Sequence, residues 1–150
     1  MIFVTVGLHY QGFDRLIKAV DELALKIDEE FIAQIGSTQY TPKNMEYFRE
    51  KTIGEVDEYF KDARIIISHA GIGSIITALK YEKPLIVVPR LKKYNEHTSN
   101  HQLEVTKALE DEGKASVAYE TDDIQKVVNQ LKKGNPQRTG RKRLIETLKA

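Results

Sequence analysis

A chain of 150 residues with 23 basic and 22 acidic side chains has room for one hydrophobic core and no global charge to draw it to nucleic acid. It has no cysteine, so disulfides and thiolate metal sites are excluded, and a reducing cytoplasm suits it. The apolar start MIFVTV lacks a basic flank and stops at Gly7, short of a signal peptide or a membrane span, so membrane contact is expected only at the periphery or through a partner.

In chain order, residues 2–6 form a β-branched run that predicts a strand, and residues 7–12 a loop. Phe13, Leu16, Ile17, Val20, Ala24 and Ile27 recur at helical spacing. A second strand is expected over 31–35, ending at Gly36 and Ser37, with a third short one at 45–48 inside the poorly patterned stretch 38–52. Val56, Tyr59 and Phe60 predict a short helix before a strand at 64–68, and a helix over 74–81 leads through Lys83-Pro84 into a strand at 85–88. Residues 89–99 are polar and basic; a helix follows over 100–112, ended by Gly113. A last strand is expected at 115–118. Thr121 then stands as N-cap of a helix carrying Ile124, Val127, Val128 and Leu131. Gly134-Asn135-Pro136 breaks that helix, and 141–149 has the pattern of a terminal one.

Strands that alternate with helices, most of them continuous apolar runs, predict an α/β fold: a parallel sheet with helices on both faces. One domain is expected over 1–150, with its core in 2–133 and a basic tail in 134–150. Ligands of such sheets sit beyond the carboxyl ends of the strands. Three polar loops fall there: 7–12, 36–39 and 69–74.

The last of these carries the sharpest signal. IIISHAGIGS is a buried strand that breaks into a glycine turn and then a helix, a build suited to an anion. Glycines let backbone approach a phosphate closely, and the free N–H groups and dipole of the next helix point at it. Ser74 has two readings, cap of its helix or phosphate contact; His69 either donates to a phosphate oxygen or bonds neighbouring backbone. The first loop, TVGLHYQGFD, is a second phosphate rest or an ordinary strand-to-helix turn. It is not GxGxxG, which weakens a dinucleotide reading. In PRLKKYNEHTSNHQ, His97 and His101 are four apart, a zinc spacing on one helix face. No HExxH glutamate and no third ligand accompany them, so no metal is expected. Asn and Gln amides there suit the hydroxyls of a sugar, against the reading of a solvated basic loop. The tail carries Lys132, Lys133, Arg138, Arg141, Lys142, Arg143 and Lys149: a solvated helix, or a basic face for anionic lipid or an acidic partner.

VTVG near the start, SHAGIGS, KPLIVVP and EHTSNHQ, in this order over about residues 2–118, together resemble the glycosyltransferase family 28 C-terminal domain, the donor-binding half of a GT-B enzyme. In length and start the chain is similar to stand-alone small subunits of two-component UDP-sugar transferases. These include the catalytic subunit of the eukaryotic dolichol-linked UDP-GlcNAc transferase and the bacterial capsule and polysaccharide type, to which PRLKKYNEHTSNHQ is closer. The resemblance implies a Rossmann-like fold and an inverting, metal-independent transfer from a UDP-sugar, with no cofactor beyond that donor. It implies that Gly7, His69, Gly71, Gly73 and Ser74 hold the diphosphate, and that Asn100, His101 and Gln102, with His97 beside them, meet the donor sugar. Gly36, Ser37 and Thr77 fall on the nucleoside side. Family members often carry glutamate at the position of Thr77, poised on the ribose; a hydroxyl there is uncharged, which bears on nucleotide affinity and donor choice. The family's glycine before Lys83 is Glu82 here.

Sugar transfer also needs a base and a positive environment for the departing diphosphate. His9 is the one candidate base that the sequence offers. The chain begins at its first strand, which leaves no room for an acceptor-binding half; the resemblance implies that the base and the acceptor groove come from a membrane-associated partner that presents a lipid-linked acceptor, with this chain cytoplasmic and peripheral. Two other readings stand: a nucleotide-binding regulatory or assembly subunit without chemistry, and an unrelated doubly wound domain holding flavin or another phosphate ligand.

Overall fold

The computed structural model describes residues 1–131; the expected basic tail and terminal helix lie outside the described residues. Six parallel strands form one sheet in the order β3-β2-β1-β4-β5-β6. They are β1 (Ile2–Thr5), β2 (Phe31–Gln34), β3 (Glu46–Phe48), β4 (Ile65–His69), β5 (Leu85–Val88) and β6 (Ser116–Val117). Five helices alternate with them: α1 (Asp14–Leu23), α2 (Ile53–Asp62), α3 (Ile72–Lys80), α4 (Asn100–Asp111) and α5 (Ile124–Leu131).

The period-two alternation of strand side chains divides the core into two. Ile2 and Val4 face Leu16, Ile17 and Val20 of α1 and Ile124 and Val128 of α5. Phe3 faces the other way, onto Phe60 of α2, Ile75 and Leu79 of α3 and Leu109 of α4. Every residue of β1 is buried, which explains why its sequence is an unbroken apolar run instead of an alternating one. β1 is central, with Ile2 opposite both Phe31 of β2 and Ile65 of β4.

The helices end as their sequences require. α2 opens on a capping box, in which Thr52 accepts from the Glu55 N–H and the Glu55 carboxylate accepts from the Thr52 N–H. α3 and α4 close on the same motif. In α4, Gly113 at φ +68° donates to the Glu110 carbonyl and Lys114 to that of Leu109. In α3, Glu82 at φ +53° donates to the Leu79 carbonyl and Lys83 to that of Ala78. Both are Schellman closures, which need a left-handed residue; α3 places a glutamate there. Some expected boundaries move: the helical spacing that runs to Ile27 in the sequence ends with α1 at Leu23. Thr121 does not cap α5 directly but opens a short 3-10 turn, Thr121–Asp123, ahead of it. The helix expected from residue 74 begins two residues earlier.

Candidate functional site

From β1 the chain turns to α1 on one face, and from β4 to α3 on the other. Neighbouring strands whose connections diverge open a crevice between them at their carboxyl ends, where open α/β sheets bind ligands. The glycine turn at 70–71 and the first loop meet in this crevice.

His69 is the last residue of β4 and is held in the ladder opposite Val88. Its ring occupies the space that two glycines leave empty. A Cβ added at Gly7 would lie 2.7 Å from His69 Nε2, and one at Gly71 2.5 Å from the same atom. Gly7 also sits at φ +65°, so it is glycine for two reasons; Gly71 sits at φ -85° and is glycine for space alone. Burial, the Arg90 guanidinium and then His9 push the His69 imidazole down to about 3, so it is neutral at physiological pH.

Gly71 is also the N-cap of α3, and no side chain caps it. Ser74 is therefore not the cap, one of the two readings its sequence left open; it is the third residue of the helix. The amides of Ile72, Gly73 and Ser74 lie in the first turn, whose N–H groups have no intrahelical acceptor. A Cβ at Gly73 would meet nothing within 4 Å. The helix end thus presents bare donors and its positive dipole to open space.

Beside it lies a cavity of about 390 Å³ between the first loop, α2 and α3. Gly7 and Leu8 form one side, Gly73, Ser74 and Thr77 another, and Lys51, Ile53, Val56, Asp57 and Phe60 a third. Ile53 is 91% exposed at this rim. Thr77 reaches the cavity, but its hydroxyl donates to the Gly73 carbonyl at 2.9 Å, within the helix. Gly36 and Ser37 stand behind the first loop instead of in the cavity wall. A Cβ at Gly36 would lie 2.5 Å from the Gly7 carbonyl oxygen, and one at Gly12 would meet Ser37 and Thr38 backbone. They support the loop through its backbone.

The second polar cluster lies against the first loop. Ser99 caps α4, accepting from the Gln102 N–H at 3.2 Å, so Asn100, His101 and Gln102 form the first turn of α4. His97 precedes that helix and does not share a face with His101; it stacks on His9, ring centroids 5.1 Å apart. Gln11 ties the two loops together, donating to the Asn95 carbonyl at 2.9 Å and accepting from the His97 N–H at 2.7 Å. Among the described residues no group of three or more histidine, cysteine, aspartate or glutamate side chains is placed to hold a metal ion. Nor is any helix among them long and apolar enough to cross a membrane. His9 Nδ1 accepts from the Gln11 N–H at 3.1 Å, which leaves Nε2 carrying its proton; in this geometry His9 is a donor. Sequence reading passed over Arg90, Lys51 and Asp57. A charged residue directly after the apolar run LIVVP was the signal for the first; Lys51 falls where the sequence has no clear period, and Asp57 reads as a solvated position of α2.

A family model described as "Glycosyltransferase family 28 C-terminal domain" matches residues 1–148. The chain belongs to this family. Among curated relatives of this family-28 chain, the UDP-N-acetylglucosamine transferase subunit ALG13 of Homo sapiens is 36% identical over 125 residues, 75% of this chain and 10% of the relative. The chain thus spans about a tenth of that relative's length. The solution structure of ALG13 superposes with a TM-score of 0.62 at 20% identity, covering 99% of this chain and 96% of that one. The calicheamicin glycosyltransferase CalG4 superposes with a TM-score of 0.70 at 17% identity over 99% of this chain and 39% of that one. The fold is the Rossmann-like domain that forms the C-terminal half of GT-B glycosyltransferases.

Proposed function

We propose that this chain is the donor-binding subunit of an inverting, metal-independent glycosyltransferase that moves a sugar from a UDP-sugar to a lipid-linked acceptor. The observation that carries this reading is the uncapped first turn of α3 facing the neutral His69 between Gly7 and Gly71. It is a pocket of donors without an acceptor, which suits a diphosphate. The UDP diphosphate rests on the amides from Gly71 to Ser74 and on His69. The nucleoside occupies the adjoining cavity, its base against the apolar Ile53, Val56 and Phe60 and its ribose toward Thr77. The donor sugar extends toward His97, Asn100, His101 and Gln102. Stabilising the departing UDP then falls to helix amides and buried charge.

The similarity to a UDP-N-acetylglucosamine transferase subunit supports a second, membrane-anchored subunit that brings the acceptor and the base, with this chain cytoplasmic and bound at the membrane through it. Residues 1–150 act as one donor-binding unit in this reading. Calorimetry on the purified chain tests it: UDP and UDP-sugars bind, FMN does not, and EDTA changes nothing. Transfer appears only when the partner is added. Absence of UDP binding with the partner present sinks the proposal.

Two observations favour a second reading, a nucleotide-binding regulatory or assembly subunit. Thr77 spends its hydroxyl inside α3, and His9 has its acceptor nitrogen occupied. Retained transfer by the partner alone, stimulated by this chain, would select that reading.

A further inference from the structure

Arg90 follows β5 and Pro89 and is only 5% exposed. Its Nε and Nη2 donate to the Gly12 carbonyl at 3.1 and 2.8 Å. Its guanidinium lies 4.6 Å from the Phe13 ring centroid, and Nη1 is 3.2 Å from His69 Nδ1. No carboxylate of the described residues forms an ion pair with it; Glu96, itself paired with Arg15, acts on it only through space. A guanidinium has only donors, so the contact makes Nδ1 the acceptor and places the imidazole proton on Nε2. Nε2 is the atom toward which both Gly7 and Gly71 leave space.

We propose that Arg90 is the positioning residue of the anion site: it holds His69 with its proton on Nε2, the nitrogen lodged between Gly7 and Gly71, and its buried charge awaits the ligand as counter-ion. The ligand half of this statement rests on the diphosphate reading above; the tautomer half does not. A buried charge without a directly paired carboxylate is costly, and a site built to receive an anion is where that cost is recovered. A histidine held neutral donates one hydrogen bond irrespective of pH across the physiological range. The charged and titratable groups facing its ring are Arg90, from the end of β5, and His9, from the first loop. Both disfavour its protonation.

Nitrogen-15 imidazole spectra of the full-length chain test the inference. The wild type should show His69 with its proton on Nε2 and no titration from about pH 8 to about pH 5. A proton on Nδ1, or titration near the ordinary histidine value, overturns it. UDP should shift the Nε2–H resonance, and inorganic pyrophosphate should shift it in the same sense. UDP binding without that shift overturns this proposal and takes His69 out of the diphosphate contacts while the donor-binding reading stands, whereas no UDP binding removes the functional reading and leaves the tautomer to be judged from the free chain. In folded Arg90→Met, the tautomers should mix and UDP should bind at least about tenfold more weakly, while Arg90→Lys, keeping a donor and the charge, should retain Nε2–H and recover part of the affinity. Unchanged UDP affinity in Arg90→Met counts against it. If that variant does not fold, the wild-type spectra and Arg90→Lys still decide.

Discussion

Gly71 and Gly73 are two residues apart and serve opposite ends. Gly71→Ala forces a methyl against the His69 ring, so it should cost about 1–3 kcal/mol of stability by overpacking and displace the histidine. Gly73→Ala meets nothing and removes a flexible residue from a helix, so stability should hold or rise by about 0.5–1 kcal/mol. Its methyl enters the space assigned to the diphosphate, and UDP affinity should fall at least about tenfold. Urea unfolding and calorimetry on the two variants separate the effects; a Gly73→Ala chain that binds UDP normally removes the first turn of α3 from the site. His69 carries a pH signature of its own. Its folded value of about 3 lies below the ordinary 6.5, so the unfolded chain binds more protons between them. The stability that the neutral ring supports is full above about 6.5 and is lost as pH falls toward about 3. Urea unfolding should show about 1–2 kcal/mol more loss from about pH 7 to about pH 5 in the wild type than in His69→Gln. At this scale the sequence identified the residues by type but not by duty. His69 and both glycines stood out in the sequence as candidates for an anion site, whereas the fit of ring to glycine is a matter of packing that no spacing encodes. Arg90 escaped because its partners, Gly12 and His69, are distant in the chain.

The ends of α3 and α4 form a natural comparison of one motif with two residues. Gly113 takes the left-handed position at no steric cost, while Glu82 takes it with a Cβ near the following carbonyl. Glu82 is exposed, so nothing else is lost when it is replaced. Glu82→Gly should therefore raise stability by about 1 kcal/mol, measurable as a higher urea midpoint with unchanged slope; a loss would show that Glu82 is held by an interaction other than backbone closure. The sequence located this turn, since the family resemblance implied a glycine at the position of Glu82 and Pro84 follows. The start of α3 was misplaced for a related reason. Ile72 and Gly73 look like loop residues next to the hydroxyl of Ser74, the better cap by type. The strand's end at His69 and the tight glycine turn set the helix earlier. Conversely, the apolar spacing of α1 and the continuous run of β1 left no ambiguity, because burial on one or both faces writes itself directly into residue order.

For the whole molecule, strand order was not written in the sequence but its consequence was. Alternation of strands and helices named a parallel sheet, and that class puts ligands at the carboxyl edge, where the polar loops 7–12, 36–39 and 69–74 collect. The helix α2 was legible but its part in the cavity wall was not: Lys51 and Ile53 lie in or beside the stretch with no clear period, and Asp57 reads as an ordinary solvated helix position. If UDP engages this edge as proposed, it binds the native chain and not the unfolded one. At a hundredfold excess over its Kd it should add about 2.7 kcal/mol and raise Tm by roughly 5–10 °C for a chain of this size. A thermal scan with and without UDP checks this, and an unmoved Tm at saturating UDP contradicts a site formed by these loops.

The mould of two glycines around one imidazole has an evolutionary consequence. Gly71 answers only to the bulk of His69, whereas Gly7 answers also to its own backbone angle. A lineage that replaced His69 by a small side chain would release position 71 to alanine or serine. Position 7 would stay glycine.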